Sequence, residues 1–115
     1  MQTVTAFIVA CHLMASANTN VPSETLVQVC ESIEYHGASS GIDKSTLVGM
    51  VWVESRFDPN AVSSANARGV MQVILGRGWS LDYSEDDMLD PWLSVEAGIL
   101  MALRFIRFNK VKWIE

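Results

Sequence analysis

Apolar residues recur at helical spacing in several stretches of the chain, and alternation with a period of two is never sustained. A first amphipathic helix is predicted to open around Pro22 and to stop at Gly37. Its apolar positions are Leu26, Val29, Cys30 and Ile33. A second helix is predicted from an N-cap at Asp43 up to Glu54. Its apolar stripe consists of Leu47, Val48, Val51 and Trp52.

The second half of the chain carries one short and one long apolar segment. Residues 70–75 end at Gly76, which predicts a short buried helix with a glycine C-cap, although the Val and Ile content also permits a strand. Asp90-Pro91 is a strong helix start, and the apolar faces that follow predict a long helix to about Phe108. The pattern therefore predicts a single all-α domain with several helices joined by loops.

Composition narrows the class of protein. A chain of 115 residues with 50% hydrophobic residues is enough for one compact domain. The formal net charge of -5 argues against a nucleic-acid binder, because phosphate contacts need clustered Lys and Arg. His12 and His36 are too few for a metal cluster, and no metal-binding motif is present in the sequence. We expect neither a metal nor a cofactor.

The N-terminus is uncharged and apolar up to Met14 and continues with Ala15-Ser16-Ala17. This pattern predicts a signal peptide over residues 1–17, with cleavage after Ala17 and a mature domain of residues 18–115. An apolar first helix packed on the domain is the alternative. A lipoprotein site at Cys11 is a further one, and only lipidation of Cys11 would attach the protein to a membrane.

The chain has two cysteines, Cys11 and Cys30, and the predicted export affects the first of them. Export would remove or lipidate Cys11, so no internal disulfide is expected. Cys30 is spaced helically from Leu26 and Ile33, which predicts a small buried residue rather than a nucleophile.

The most informative segment runs from Glu54 to Gln72. It reads Glu54-Ser55-Arg56-Phe57-Asp58-Pro59-Asn60-Ala61-Val62-Ser63 and continues through Ala67-Arg68-Gly69-Val70-Met71-Gln72. One carboxyl stands at the end of an apolar helix, and in an apolar pocket such a group stays protonated and can act as a general acid toward a leaving group. Asp58 is the nearest second carboxylate, but Asp-Pro-Asn indicates a turn.

This segment closely resembles the signature of the soluble lytic transglycosylases, a lysozyme-like family that cleaves peptidoglycan. The resemblance implies an all-α, lysozyme-like helical domain of the goose-type arrangement, with peptidoglycan glycan strands as its partner. It implies that Glu54 acts first as an acid toward the bond between N-acetylmuramic acid and N-acetylglucosamine. Glu54 would then act as a base toward the muramyl C6 hydroxyl, which forms a 1,6-anhydromuramyl end without water.

The resemblance also assigns substrate-binding residues. Ser63 matches a serine that hydrogen-bonds near the acid, Gln72 a glutamine that contacts the saccharide, and Met71 a residue that lines the groove. Gly69 permits close backbone approach. Each has an ordinary alternative, as a loop hydroxyl, a polar helix cap or a core residue. Trp79 and Tyr83 offer aromatic faces for sugar stacking, but aromatic residues of a small domain are more often packed inside.

The chain departs from the family pattern at several points. Asn66 stands where the family commonly has Gly, Ser94 stands where it has Asn, and residues 75–78 replace a Pro-Thr pair. A family segment of the form Ala-x-x-Tyr-Asn-x-Gly, whose tyrosine faces the acid, is not found within residues 1–115. The resemblance therefore implies a C-terminally incomplete domain, which is a fragment, a remnant, or a reduced form whose groove a partner completes.

Three functions follow from these observations. The first is an exported lytic transglycosylase in the periplasm or at the cell wall, or in the virion or host periplasm if a phage encodes it. The second is a noncatalytic or remnant peptidoglycan-binding protein. The third is a lysozyme-type hydrolase, which would need a positioned water in place of the substrate's own hydroxyl.

Overall fold

Helices account for nearly all regular structure in the described part of the protein, as the sequence predicts. The computed structural model describes residues 4–76 and 82–114, and within these residues it contains no strand beyond isolated bridges. The elements are α1 (Ala6–Ser16), α2 (Ser23–Ala38), α3 (Lys44–Ser55), a 3-10 helix (Asp86–Leu89) and α4 (Pro91–Ile114). The predicted all-α class is confirmed. None of the described helices is long and apolar enough to cross a bilayer.

Helix α2 lies at the centre of the fold, because α1, α3 and α4 all pack on it. Leu26, Val29 and Ile33 are completely buried there, and each such side chain contributes about 1.5–3 kcal/mol of transfer free energy. Gly37 does not stop α2 as predicted but lies in its last turn. A Cβ at this position would lie 2.8 Å from the side chain of Leu47, so the glycine allows α3 to approach closely.

The two predicted aspartate caps are present. The carboxylate of Asp43 accepts from the backbone N–H of Ser45 at 3.0 Å and opens α3. The carboxylate of Asp90 accepts from the N–H groups of Trp92 and Leu93 at 2.9 and 3.2 Å and opens α4. Helix α4 continues to Ile114, past the predicted end near Phe108, because no Gly or Pro interrupts the segment after that residue.

Helix α1 is packed on the domain. The hydroxyl of Thr5 caps it by accepting from the N–H of Ile8, and the same hydroxyl donates to Glu34 of α2 at 2.8 Å. Cys11 lies on the buried face of α1 and forms a disulfide with Cys30 of α2, with a Cα–Cα distance of 6.0 Å. The expectation of no internal disulfide is therefore wrong in this fold, because packing of α1 on α2 brings the two thiols together. Cleavage after Ala17 stays a prediction.

Residues 56–76, which follow α3, form no helix, so the predicted short helix over residues 70–75 is wrong. Instead the chain makes turns held by isolated bridges between Val62 and Arg68 and between Arg68 and Val73. The left-handed backbone of Gly69 (φ 81°) and Gln72 (φ 51°) cannot continue an α-helix. The apolar residues Val70, Met71 and Val73 are nevertheless buried. The apolar pattern of this segment therefore indicated burial correctly but did not indicate the secondary structure.

A pair of glycine substitutions tests the packing of α4. A Cβ on Gly98 would lie 2.6 Å from the Cβ of Met71, so Gly98→Ala should lower the free energy of unfolding by about 1–3 kcal/mol. Gly49 lies in α3 with no atom near its hypothetical Cβ, so Gly49→Ala should raise stability by about 0.5–1 kcal/mol. Urea unfolding measures both. Equal effects of the two substitutions would contradict the close approach of α4.

The disulfide is tested by removing it. A chain with Cys11→Ala and Cys30→Ala should lose about 2–4 kcal/mol of stability, because the cross-link restricts the unfolded chain. Thermal unfolding with and without reductant supplies the control, since reductant should destabilise the wild-type chain and leave the double variant unchanged. Two titratable thiols in the unreduced, denatured full-length chain would show that the pair is not linked.

Candidate active site

An apolar groove of about 600 Å³ lies between one face of α3 and one face of α4. Thr46, Met50 and Glu54 line it from α3, and their spacing of four residues places them in a row along that helix. The α4 side consists of Gly98, Met101, Ala102, Phe105 and Ile106, and residues 71–73 form a third wall. Of the lining residues that the structure describes, Glu54 alone is ionisable.

Glu54 stands in the last turn of α3 and is exposed to solvent. The expectation that an apolar pocket buries this carboxyl is therefore wrong for the described part of the protein. The groove is open where Glu54 borders it, so the apolar neighbours lie beside the carboxylate without covering it. The groove still combines a single acid with the wide apolar surface that the sequence predicted around it.

Ser55 and Phe57 hold the acid-bearing helix against the turn that follows. The hydroxyl of Ser55 is buried and donates to the backbone carbonyl of Val70 at 2.8 Å. The carbonyl of Val51 is a second acceptor within reach of this hydroxyl, at 3.1 Å. Phe57 is completely buried two residues later. Ser55 thus has a structural role, since it joins the end of α3 to the segment that leads to Gln72.

Gln72 lines the groove, and its side-chain amide is hydrogen-bonded to backbone carbonyls of the protein. Its Nε2 donates to the carbonyls of Ala61 and Gly69, both at 3.0 Å. Because both partners are acceptors, the NH₂ group must face them, and only the carbonyl oxygen Oε1 remains to contact a ligand. Gln72 therefore stabilises its own loop while lining the groove beside Glu54 and Met71.

The other predicted binding residues are placed differently. Met71 lines the groove but is largely buried against Gly98. Gly69 is buried with φ 81°, and its close approach is to the backbone of the protein, since a Cβ would lie 1.8 Å from the carbonyl oxygen of Met88. Ser63 is exposed, and its hydroxyl accepts from the N–H groups of Ala65 and Ala67 at 3.2 and 3.0 Å. Neither Gly69 nor Ser63 lines the groove.

Two polar residues of the loop after α3, Asp58 and Asn66, stabilise its turns. The carboxylate of Asp58 accepts from the N–H of Asn60 at 2.9 Å, which is the local turn predicted for Asp-Pro-Asn. Asn66, which replaces the family glycine, adopts a left-handed backbone with φ 63°, a conformation that asparagine tolerates better than most residues. Its amide also donates to Glu85. The departure at position 66 thus preserves the backbone conformation that a glycine would supply.

A second polar cluster, on the side of α4 away from the groove, was not anticipated from the sequence. Glu96 accepts a hydrogen bond from the hydroxyl of Tyr83 and lies 3.9 Å from Nδ1 of His36. Burial raises the pKa of Tyr83 to about 12, with the hydrogen bond to Glu96 acting in the same direction. Burial lowers the pKa of His36, against the opposing effect of Glu96.

The cluster gives no local sequence signal, because its three residues come from α2, the loop before the 3-10 helix, and α4. Tyr83 is half-buried and packed inside, as the alternative to sugar stacking predicted. Trp79, the other aromatic candidate, lies outside the described residues, as do positions 77 and 78 of the segment that replaces the family Pro-Thr pair.

Comparison with known proteins adds independent information. The profile of the family described as "Transglycosylase SLT domain" matches residues 31–113. The chain is similar to the membrane-bound lytic murein transglycosylase C of Mannheimia succiniciproducens, with 40% identity over 68 residues, or 51% of this chain. It is also similar to the protein of that name from Actinobacillus succinogenes, with 42% identity over 67 residues, or 50% of this chain.

Each match spans 19% of the relative's own length. No solved structure matches the chain significantly. The family profile, by contrast, covers most of the chain and includes α3 with Glu54, the turn with Gln72 and nearly all of α4. This chain therefore belongs to the transglycosylase SLT domain family.

Proposed function

We propose that the protein is a peptidoglycan lytic transglycosylase that uses Glu54 to cleave the β-1,4 bond between N-acetylmuramic acid and N-acetylglucosamine. The observation that carries this proposal is the shared groove, which one carboxyl, the residue Gln72 and a broad apolar surface line together. Membership of the family supports the same substrate class. The two relatives named above are lytic murein transglycosylases by name.

The exposure of Glu54 fits this chemistry if the substrate itself covers the acid. A glycan strand laid along the groove would displace water from the carboxyl, and removal of water favours its protonated form. Glu54 would then give its proton to the glycosidic oxygen as the bond to the anomeric carbon breaks. Apolar side chains on both walls of the groove supply the dry surroundings that an exposed carboxyl lacks before binding.

The absence of a second acid from the described groove lining favours transglycosylation over hydrolysis. Most glycosidases place a second carboxylate about 5–9.5 Å from the first, as a nucleophile or as a base for water. Asp58 is engaged in its own turn and does not line the groove. In the proposed reaction the muramyl C6 hydroxyl attacks the anomeric carbon and returns its proton to the Glu54 carboxylate. The product is a 1,6-anhydromuramyl end, and the acid is regenerated.

The location that fits this substrate is the bacterial envelope. A disulfide is typical of proteins from oxidising compartments such as the periplasm, and Cys11–Cys30 supports export. The disulfide requires that Cys11 be retained, whereas cleavage after Ala17 would remove it together with α1. The mass of the exported protein distinguishes the two forms. Lipidation of Cys11, origin in a phage and a partner that completes the groove remain predictions.

Glu54→Gln tests the assignment of the acid. We expect the rate of anhydromuropeptide release from peptidoglycan to fall by about 10²–10⁴-fold, because the amide cannot donate a proton to the leaving oxygen. Mass spectrometry of the products measures this, and the exposed Glu24→Gln on α2 is the charge-matched control. Full release by Glu54→Gln would refute the assignment. Reducing ends from the wild type would indicate a hydrolase, and binding without release would indicate a noncatalytic protein.

Gln72→Glu tests the two hydrogen bonds that the side-chain amide of Gln72 donates. The new carboxylate would face the carbonyls of Ala61 and Gly69 without a proton to donate, so the variant should lose about 1–3 kcal/mol of stability. Urea unfolding measures the loss, and Gln28→Glu on the exposed face of α2 should change stability by no more than about 0.5 kcal/mol. Unchanged stability of Gln72→Glu would show that its amide is free to bind the glycan.

A further inference from the structure

Two pockets lie between α2 and α4, and neither shares a described lining residue with the Glu54 groove. The first, of about 370 Å³, is lined by Gln28 and Ser32 of α2 and by Asp90 and Trp92 around the start of α4. The side-chain amide of Gln28 is exposed and makes no hydrogen bond within the described part of the chain. Asp90 caps α4 through its Oδ1, so its Oδ2 remains as an acceptor. This pocket therefore offers one amide and one carboxylate oxygen to a ligand.

The second pocket, of about 400 Å³, lies further along the same two helices. His36 and Ser39 line it from α2, and Glu96 and Leu100 line it from α4. The hydroxyl of Ser39 is exposed and makes no hydrogen bond to any described residue. The side chain of Glu96 is 40% exposed although it accepts from Tyr83, and a carboxylate can accept several hydrogen bonds at once. The second pocket therefore also presents polar groups that a ligand can bind.

Aromatic rings connect the two pockets. Tyr35 of α2 is 66% exposed and Trp92 of α4 is 37% exposed, and their ring centroids lie 4.8 Å apart. The side chain of His36 is only 8% exposed and contacts the rings of Tyr35 and Trp92 at centroid distances of 5.1 and 4.5 Å, which holds both in place. Because Trp92 lines the first pocket and His36 the second, the rings join the pockets into one surface. We name the two pockets together with Tyr35 the α2–α4 surface.

The length and the charge of the α2–α4 surface indicate its ligand. Between Gln28 and Ser39 helix α2 advances by about 16 Å, which suits a short linear chain of sugars. Three acids, Glu31, Asp90 and Glu96, line the pockets, and no lysine or arginine is among the described lining residues. This charge disfavours phosphate-bearing polymers such as nucleic acids. Carboxylate, amide and hydroxyl groups are instead partners for the hydroxyl groups of a glycan, and the exposed rings offer flat apolar faces to its C–H groups.

We propose that the α2–α4 surface binds a second glycan strand of peptidoglycan, separate from the strand in the Glu54 groove, and holds the protein on the cell wall during cleavage. This inference rests on the proposed function, which supplies the glycan. A sugar ring stacks on Tyr35 and Trp92, its hydroxyl groups donate to Asp90 and Glu96, and the amide of Gln28 donates to an N-acetyl carbonyl. Because peptidoglycan presents many strands side by side, one protein molecule can contact two of them.

The binding test uses the tetramer of N-acetylglucosamine, which contains no muramyl sugar for the proposed reaction to cleave. The tetramer is titrated into the ¹⁵N-labelled full chain and followed by NMR. We expect shifts at Gln28, Tyr35 and Trp92 that follow one Kd, and shifts at Glu54 and Gln72 that follow another. Absence of shifts at Gln28, Tyr35 and Trp92 would overturn the inference, whatever is observed at Glu54 and Gln72.

Variants of Tyr35 test the aromatic contact without disturbing the fold. Tyr35 is exposed on α2 and alanine is a good helix former, so thermal unfolding of Tyr35→Ala should stay close to that of the wild type. We expect its Kd at the α2–α4 surface to rise about fivefold, the factor that corresponds to about 1 kcal/mol of ring contact. Tyr35→Phe keeps the ring and should bind like the wild type. Leu13→Ala removes a side chain of α1 that is 60% exposed and should leave this Kd unchanged. Equal effects of Tyr35→Ala and Leu13→Ala would overturn the inference.

Turnover distinguishes failure of the inference from failure of the proposed function. Release of anhydro products is measured on insoluble peptidoglycan and on short soluble strands, and the ratio of the two rates should fall about fivefold in Tyr35→Ala and stay unchanged in Leu13→Ala. Glu54→Gln should keep the Kd of the tetramer at the α2–α4 surface although it loses release. Retention of that Kd would support the inference even if no strand is cleaved. An unchanged ratio in Tyr35→Ala would overturn the inference even if Glu54 proves catalytic.

Discussion

The hydrogen bond from the Ser55 hydroxyl to the Val70 carbonyl joins the two halves of the groove. It is buried, and its loss would leave a backbone carbonyl without a partner, at a cost of about 1–3 kcal/mol. Through it the end of α3, which carries Glu54, is fixed beside the turn that carries Gln72. The close packing of Gly98 on Met71 then fixes that turn against α4. The three walls of the groove depend on this chain of contacts.

The same short segment divides its residues among different tasks. Glu54 borders the apolar groove, and Ser55 and Phe57 are buried and hold the turn. Arg56 and Asp58 line a separate pocket, together with Ser55 and with residues 19–22 of the α1–α2 connection. Such a division over five consecutive residues requires a backbone that is neither helix nor strand, and the two left-handed residues supply it. Backbone strain that persists beside an acid is explained by this demand, since burial of Phe57 holds the turn in place.

Helices α1 and α2 support the site without lining the groove. Helix α1 covers α2 and is tied to it by the disulfide and by the hydrogen bond from Thr5 to Glu34. Lys44 at the start of α3 contacts the same carboxylate at 3.6 Å and lies over the ring of Phe7. Retention of α1 therefore matters for the stability of the domain.

By itself, the sequence determined the helical class and the aspartate caps of α3 and α4, because these depend on local periodicity and capping chemistry, and its motif singled out Glu54 as the proposed acid. Only the tertiary structure decided the rest. Whether Glu54 is covered, whether residues 70–75 form a helix and whether Cys11 meets Cys30 depend on contacts between distant segments. The spacing of apolar residues indicates which side chains are buried. It does not indicate which other residues cover them, because the hydrophobic effect is non-directional.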